Sequence, residues 1–264
     1  MSGCNEAAKE MRVNRFIADS GFCSRREADK LIESGRVTVN GETIGLGSKL
    51  SPENDVLCID HQPISARQAD DYVYIALNKP RGITCTTDLR RRDNIVSFMN
   101  YPERIYPVGR LDRDSEGLIL LTNDGSIVNK ILRAGNRHDK EYLVRVDRPF
   151  DEAFLKAMAE GVEILGQKTL PARCRRKGAD RFRITIHQGL NRQIRRMCEA
   201  LGYEVLDLCR LRIMHITLGQ LKSGEWRYLG KKELRDLYAL LEDSRDNEPA
   251  RLSTAERADL EGND

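Results

Sequence analysis

The sequence of 264 residues contains no apolar run of the roughly 20 residues that a membrane-spanning helix needs. Residues 1–12 carry acidic side chains and no apolar centre, which is not the pattern of a secretory signal. Seven cysteines are scattered along the chain without a Cys-x-x-Cys pair, so neither a zinc cluster nor a disulfide framework is expected. These absences predict a cytoplasmic protein with free thiols and no membrane contact.

The charge of the chain is distributed unevenly. Hydrophobic residues make up 40% and charged residues 32%, as in an ordinary folded protein, and the formal net charge is +3. Residues 242–264 contain eight acids and three arginines, so the preceding 241 residues carry +8. We therefore expect a disordered acidic tail over 244–264 and a basic folded part with a polyanionic partner.

The first part of the chain has the pattern of a small module. Apolar residues at helical spacing follow residue 12, and Ser24 and Glu27 stand at the two ends of a capping box that would begin a second helix. That helix should end at Gly35, and the strand over 37–39 should run into a tight turn at Asn40-Gly41. The predicted organisation is an extension (1–11), this module (12–60) and a polar linker (61–72).

A larger domain is predicted over 73–243. Val73, Ile75 and Leu77 alternate with other residues as in a half-buried strand. Further strands are expected at 105–108, 118–121, 142–146 and 182–186, and helices at 127–132, 152–161, 192–201 and 231–241. This order favours an α+β fold with a mixed, mostly antiparallel sheet flanked by helices.

The segment Gly109-Arg110-Leu111-Asp112 is the first candidate for chemistry. A run of four large aliphatic residues at 118–121 follows it and predicts a strand buried on both faces. Asp112 would then be held in a turn against an apolar wall, where a carboxylate needs a nearby cation to stay ionised. The alternative is that Asp112 or Asp114 only accepts hydrogen bonds from turn amides.

A helix over 192–201 can supply that cation. Its apolar residues recur at i, i+3, i+4 and i+7 and form one core-facing stripe. Arg195 lies at the border of the stripe and is best placed to reach a carboxylate beside the core. Arg192 and Arg196 point away from it and are candidates for contacts with the phosphates of a polyanionic partner. Tyr142 begins a predicted strand, where a packing role in the core is the alternative to a functional one.

The segments 12–17, 21–28 and 37–41 together resemble an S4 RNA-binding domain, also called an α-L module. This resemblance implies that Arg25, Arg26 and Lys30 on the second helix contact the phosphates of structured RNA. The alternative is that the two arginines are only solvated residues of a first helical turn, where positive charge is unfavourable.

Nearly all of residues 12–243 resembles the RsuA-type RNA pseudouridine synthases. Four motifs carry this resemblance, and they occur in the expected order: Asn78-Lys79-Pro80-x-Gly82, Gly109-Arg110-Leu111-Asp112 with Ser115-x-Gly117-Leu118, Lys140-x-Tyr142, and Gln193-Ile194-Arg195. The resemblance implies that the protein converts a specific uridine of 23S ribosomal RNA to pseudouridine after flipping the base out of its stack.

The same resemblance assigns roles to residues. Asp112 would attack or deprotonate the ribose, Arg195 would pair with it, and Tyr142 would pack on the flipped uracil and act as a base at C5. The implied RNA-binding residues are Arg110 as the wedge in the vacated stack, and Lys79, Arg25, Arg26, Lys30, Arg192 and Arg196. Neither cofactor nor metal is implied, because the reaction is an isomerisation. A monomer acting on 23S rRNA, with tRNA as a further possible substrate, is expected.

Two other functions fit parts of the sequence. A non-catalytic S4-type RNA-binding protein would account for the basic charge but not for the Asp112 segment. A metal-dependent nuclease could use four aspartates as oxygen ligands. Those aspartates are Asp88, Asp93, Asp112 and Asp114.

Overall fold

A computed structural model describes residues 10–242 of the chain. The chain divides into two compact units between Tyr72 and Val73. The acidic tail predicted over 244–264 and nearly all of the predicted extension over 1–11 lie outside the described residues. The cysteines within 10–242 are free thiols. Over the same range, no helix has both the length and the apolar character needed to cross a membrane.

Two short helices begin the first unit. They are α1 (Val13–Asp19) and α2 (Arg25–Glu33). The predicted capping box is confirmed, because the Ser24 side chain accepts from the Glu27 amide and the Glu27 carboxylate accepts from the Ser24 amide. The apolar faces of both helices are buried against Val37, Leu57 and other residues of the strands that follow.

Six short strands complete this unit. They are β1 (Met11–Arg12), β2 (Val37–Val39), β3 (Glu42–Thr43), β4 (Lys49–Leu50), β5 (Leu57–Ile59) and β6 (Gln62–Ile64). Strand β1 pairs with β4, and the other four form an antiparallel sheet in the order β3-β2-β5-β6. Asn40 and Gly41 both have positive φ at the predicted turn. The expected linker over 61–72 is wrong at its start, because β6 pairs with β5 along its whole length.

The second unit is built on a nine-stranded sheet. Its strands are β7 (Tyr74–Lys79), β8 (Tyr106–Pro107), β9 (Glu116–Thr122), β10 (Lys140–Val146), β13 (Arg173–Arg176), β14 (Arg181–Ile186), β15 (Val205–Ile213), β16 (Ile216–Thr217) and β17 (Trp226–Tyr228). A separate hairpin consists of β11 (Glu163–Ile164) and β12 (Gln167–Lys168). The main strand order is β13-β14-β10-β15-β9-β7-β17, with β16 on β15 and β8 on β9.

The sheet is mixed, as predicted. Only β15 and β9 run parallel among its strand pairs within residues 73–242, and the other pairs are antiparallel. The nine-residue strand β15, which joins β10 to β9, is absent from the predicted elements. The half-buried pattern expected for β7 is wrong, because the four successive residues from Tyr74 to Leu77 are all buried.

Five helices accompany this sheet in the described residues. They are α3 (Ile95–Met99), α4 (Ser126–Leu132), α5 (Glu152–Glu160), α6 (Gln193–Ala200) and α7 (Lys231–Glu242). Four of them were predicted, and α3 was not. Helix α6 buries Ile194, Met197 and Cys198 in the core, as its apolar stripe predicts. Arg195 and Arg196 on this helix are each only partly buried, and they flank that stripe.

Candidate active site

The Asp112 segment forms the loop that joins β8 to β9. Within it, the Ser115 amide donates to the Asp112 carbonyl at 3.0 Å, and the Leu111 amide donates to the Cys85 sulfur at 3.4 Å. Gly109 has a φ of +80°, and a Cβ placed there would lie 2.6 Å from the Leu132 side chain. A larger residue would be strained by this positive φ and would displace the Leu132 side chain, so glycine is favoured at this turn.

Two arginines of the α6 region approach the carboxylates of this loop. Arg192 contacts both oxygens of Asp114 at 3.2 Å, and its Nη1 lies 3.9 Å from Asp112 Oδ2. Arg195 Nε lies 4.0 Å from the same Asp112 oxygen, and Arg195 Nη2 lies 3.6 Å from Asp114 Oδ2. The predicted approach of Arg195 to Asp112 is thus present, but the two arginines share two carboxylates.

Arg195 is held rigidly in this cluster. It donates to the backbone carbonyls of Val205 and Asp114 and to the Ser115 hydroxyl, at 3.0 to 3.2 Å. Its Nε is buried and has no hydrogen-bond partner within residues 10–242. Burial lowers the pKa of Arg195, although the charges of Asp114 and Asp112 oppose that effect. The unpartnered Nε is the atom of Arg195 that faces Asp112.

Asp114 is the more strongly paired of the two acids. Partial burial raises its pKa, but the hydrogen bond from Arg192 and the charges of Arg195 and Arg192 outweigh burial, so its pKa lies below the usual value. Asp112 has no side-chain hydrogen bond in the described residues, and a third of its side chain is exposed. Its carboxylate is therefore the freer of the two to meet a ligand.

A cavity of about 440 Å³ opens beside this cluster. Its polar and charged lining residues are Arg110, Asp112, Lys140, Tyr142, Asn191, Arg192, Gln193 and Arg210. Apolar side chains from Leu111, Leu132 and Leu208 complete the wall. Arg110 is exposed and, within the part of the chain that the structure describes, has no hydrogen bond or ion pair. This size and mixture of surfaces are typical of a small-molecule or single-base site.

Tyr142 projects from the middle of the sheet into this cavity. It is the third residue of β10 and is 7% exposed. Its hydroxyl lies 3.5 Å from Nη1 of Arg210, the residue directly opposite on β15. Tyr142 is therefore both a core residue and a cavity-lining residue, so the two interpretations of it are compatible.

Lys79 requires a correction. It was expected to contact RNA, but its side chain is fully buried, and its ammonium donates to the carbonyls of Pro80 and Ile83 at 2.9 Å each. Burial lowers the pKa of this lysine. Because a buried ammonium bonded to two backbone carbonyls cannot reach a phosphate, Lys79 holds the turn after β7 instead.

The remaining predicted RNA-binding residues differ in accessibility. Arg196 is partly buried and donates to the Asn191 side chain at 3.2 Å, so it is less available than Arg192. Arg25, Arg26 and Lys30 are exposed on α2 of the first unit. Arg25 makes only a long contact of 3.5 Å to the Asn14 side chain. These three cations remain predictions for RNA binding.

The nuclease hypothesis is not supported by the positions of its four aspartates. Asp88 pairs with Arg90, and Asp93 pairs with Arg113. Within residues 10–242, no three His, Cys, Asp or Glu side chains are grouped closely enough to hold a metal ion. The chain therefore does not bring these carboxylates together as a ligand set.

Two cavity residues were not recognised as site residues from the sequence. Lys140 was noted only as part of a motif, and Arg210 lies on β15, which was not predicted. The signal for Arg210 is weak, because an arginine between apolar neighbours is normally expected on the solvent side of a strand. Only the pairing of β15 with β10 and β9 places it in the interior.

Comparisons with protein families and with individual known proteins give consistent matches. The family described as RNA pseudouridylate synthase matches residues 73–200, and the S4 domain family matches residues 11–57. The dual-specificity RNA pseudouridine synthase RluF of Escherichia coli K12 is 53% identical over 89% of this chain and 80% of its own length. The chain belongs to the RsuA-type RNA pseudouridine synthases.

Other relatives of this enzyme are similar over nearly their full length. The ribosomal large subunit pseudouridine synthase B of Bacillus subtilis is 36% identical over 87% of this chain and 96% of its own length. A crystal structure of a pseudouridylate synthase has 33% identity and a TM-score of 0.63, and covers 86% of this chain and 99% of the other. Membership of this family excludes the non-catalytic and nuclease alternatives, since the chain is an isomerase.

Proposed function

We propose that this enzyme isomerises a specific uridine of 23S rRNA to pseudouridine and that Asp112 is its essential carboxylate. The main support is that Asp112 lines a cavity together with Tyr142, while guanidinium groups of Arg192 and Arg195 lie within 4.0 Å of it. The E. coli relative bears the name of a dual-specificity enzyme, and tRNA is included here as a second substrate to test.

The reaction requires that the bond between N1 and C1′ breaks and that C5 takes the place of N1. The target base must first leave its stack, at a cost of a few kcal/mol. Arg110 is exposed beside the cavity, and its planar guanidinium can stack in the vacated place. Asp112 then acts on the ribose, either as a nucleophile or as a base. Tyr142 packs on the extruded uracil and takes the proton from C5.

The cations near Asp112 keep its carboxylate reactive. Arg195 is fixed by three hydrogen bonds to other groups and directs its free Nε toward Asp112. Such a fixed positive charge attracts the Asp112 carboxylate and needs no rearrangement during the reaction. Arg195 is thus a positioning and electrostatic partner in the proposed reaction.

Substrate binding involves both units in this proposal. Arg25, Arg26 and Lys30 of the S4 domain bind RNA phosphates, and Arg192 and Arg196 do so near the cavity. The enzyme acts as a cytoplasmic monomer. The exposure of the three α2 cations supports the first part of this scheme.

Asp112→Asn tests the central assignment. Tritium release from RNA labelled at C5 of uridine should fall by about 10³-fold or more, because the amide is neither a nucleophile nor a base. RNA affinity should stay within about twofold of the wild type, since the assigned role is chemical. Asp207→Asn is a matched control, because Asp207 is similarly exposed and also pairs with arginines, Arg81 and Arg145, but does not line the cavity.

Normal turnover by the Asp112→Asn variant would overturn the assignment. The substrate itself is identified by mapping pseudouridines in 23S rRNA and tRNA from cells with and without the protein. A site that is lost only in the cells without it, and restored by the wild type, defines the target uridine. If every site persists, the proposed substrate classes are wrong.

A further inference from the structure

The cavity contains two buried cations that the mechanism above does not use. Lys140 lies two residues before Tyr142 on β10, and Arg210 lies opposite Tyr142 on β15. They are 6% and 3% exposed, and both line the cavity with Asp112. Two adjacent strands therefore place two cationic side chains beside the proposed position of the uracil.

The guanidinium of Arg210 has an unused donor. Its Nε donates to the Leu118 carbonyl at 2.7 Å, and its Nη1 makes the long contact of 3.5 Å to the Tyr142 hydroxyl. Its Nη2 is buried and has no hydrogen-bond partner among residues 10–242. An unpaired buried donor is unfavourable in the free enzyme, and Arg210 is a lining residue of the cavity. A ligand in the cavity that accepts from this guanidinium would offset that cost.

The charge of the cavity points to the chemistry of that ligand. Four lining residues are cationic, namely Arg110, Lys140, Arg192 and Arg210, and only Asp112 is anionic. Burial and, to a smaller extent, the charge of Arg210 together lower the pKa of Lys140 to about 8, against the opposing charge of Asp139. Buried cations that repel one another favour a ligand with electron-rich oxygens or with negative charge.

We propose that Arg210 binds a carbonyl oxygen of the flipped uracil and stabilises the uracil anion that forms when the bond between N1 and C1′ breaks. This inference rests on the proposed function. Heterolysis leaves the electron pair of that bond on N1, from which it is shared with O2 and O4. The charge persists until C5 bonds to C1′, after which C5 loses a proton and N1 gains one. Arg210 donates a hydrogen bond throughout and transfers no proton.

This role fits the transition state better than the ground state. A neutral uracil carbonyl accepts only moderately, whereas the carbonyl oxygens of the anion accept strongly from a guanidinium. The interaction therefore strengthens as the bond to C1′ lengthens, which is the condition for accelerating the reaction rather than only binding the substrate. Lys140 adds a second positive charge to the cavity, from the neighbouring strand β10.

Three variants test the proposal in single-turnover assays on an RNA stem–loop that carries the mapped uridine. In Arg210→Met, the rate should fall by about 10²-fold while the Kd for the RNA stays within about twofold. Arg210→Lys keeps the positive charge and should retain part of the rate. Arg212→Met is the matched control, because Arg212 is on the same strand but pairs with Glu141 outside the cavity. It should stay within about threefold of the wild type.

A second measurement separates ligand binding from a purely structural role. The target uridine is replaced by 2-thiouridine or 4-thiouridine, in which a weaker sulfur acceptor takes the place of one carbonyl oxygen. One replacement should slow the wild type by about tenfold more than it slows Arg210→Met, because the methionine variant has no hydrogen bond to lose. Equal losses in both enzymes for both replacements, or a rate for Arg210→Met within threefold of the wild type, would overturn the proposal. A wild type that releases no tritium from the unmodified RNA would instead contradict the proposed function.

Discussion

A single glycine controls how closely β15 approaches β9, the strand that follows the Asp112 loop. Gly117 stands opposite Arg210 in the parallel pair of β9 and β15, and it has a φ of +104°. A Cβ at this position would lie 2.4 Å from the Arg210 carbonyl oxygen and 2.6 Å from the Arg210 amide nitrogen. Backbone atoms cannot yield as a flexible side chain can, so any larger residue must separate the two strands.

Gly117→Ala should therefore damage both stability and catalysis. We expect the free energy of unfolding of the second unit to fall by more than about 3 kcal/mol, through strain and clash together. Gly166→Ala is the control, because Gly166 also has a positive φ, of +70°, but has open space around it. That change should cost about 1 kcal/mol. The fluorescence of Trp226, the only tryptophan and a residue of β17, reports unfolding of this unit. Equal losses in both variants would contradict the close approach.

Helix α2 presents its cations at a helix N-terminus, where the backbone dipole disfavours them. Arg25 and Arg26 are its first two residues, and both are exposed. Replacing both with Ala should weaken RNA binding and reduce the slope of log Kd against log salt by about 1 to 2, because up to two phosphate contacts are lost. The control is the double variant Arg15→Ala and Arg36→Ala. It removes the same amount of charge, but from side chains that already pair with Asp19 and Asp60.

That control should leave the salt slope nearly unchanged, since paired arginines release few counterions on binding. The measurement is the titration of labelled RNA at several salt concentrations. If the Arg25 and Arg26 variant keeps the wild-type slope, these arginines are only solvated residues of the first turn. If the salt slope of the control falls as much as that of the Arg25 and Arg26 variant, the total charge of the protein rather than the position of α2 determines binding.

The elements that the sequence predicts well are those with local signals. The capping box of Ser24 and Glu27 and the apolar stripe of α6 depend on residues three or four positions apart, so short-range periodicity reveals them. Strand β15 depends on its partners. It contains Asp207, Arg210 and Arg212 among apolar residues, and such a mixture is typical of a segment exposed to solvent. It is a central strand only because β9 and β10 pair with it on either side.

The same distinction applies to the site. Asp112 and Arg195 could be singled out as candidate site residues from the sequence, because one stands in a recognisable loop and the other at the border of a helix face. The approach of Arg195 to Asp112 was predicted too, but the shorter contacts that Asp114 makes with the same guanidinium groups were not. The burial of Lys79 and Arg210 also escaped prediction, since an isolated basic residue in a sequence favours the surface. Their positions result from backbone carbonyls that the fold brings within reach.

At the scale of the whole molecule, residues 10–242 bury three cations near one cavity. Lys79, Lys140 and Arg210 are each less than 7% exposed. Lys79 has two carbonyl partners at 2.9 Å, whereas Lys140 has one at 3.4 Å. Because burial without strong partners disfavours a charged group, Lys140 should reduce the stability of the free enzyme at neutral pH. The cavity thus keeps a buried lysine at a cost to the stability of the fold.

This cost has a definite pH dependence. The pKa of Lys140 is about 8 in the folded protein, mainly because of burial, against an ordinary value of 10.5. Below pH 8 the lysine is charged in both states and the folded state bears the desolvation cost. Between the two pKa values only the unfolded state holds the proton, so stability should rise with pH. Relative to Lys140→Met, the wild type should gain about 2 kcal/mol between about pH 7 and pH 9.5.

The Lys140→Met variant isolates this effect from other groups that titrate in the same range. Denaturant unfolding followed by Trp226 fluorescence gives the free energy at each pH for the wild type and the variant. Lys168→Met, at an exposed lysine of β12, is the control and should follow the wild-type curve. If wild type and Lys140→Met differ by the same amount at every pH, Lys140 does not lose its proton on folding. In that case its charge must be compensated within the cavity, and the net positive potential inferred for the uracil site would be wrong.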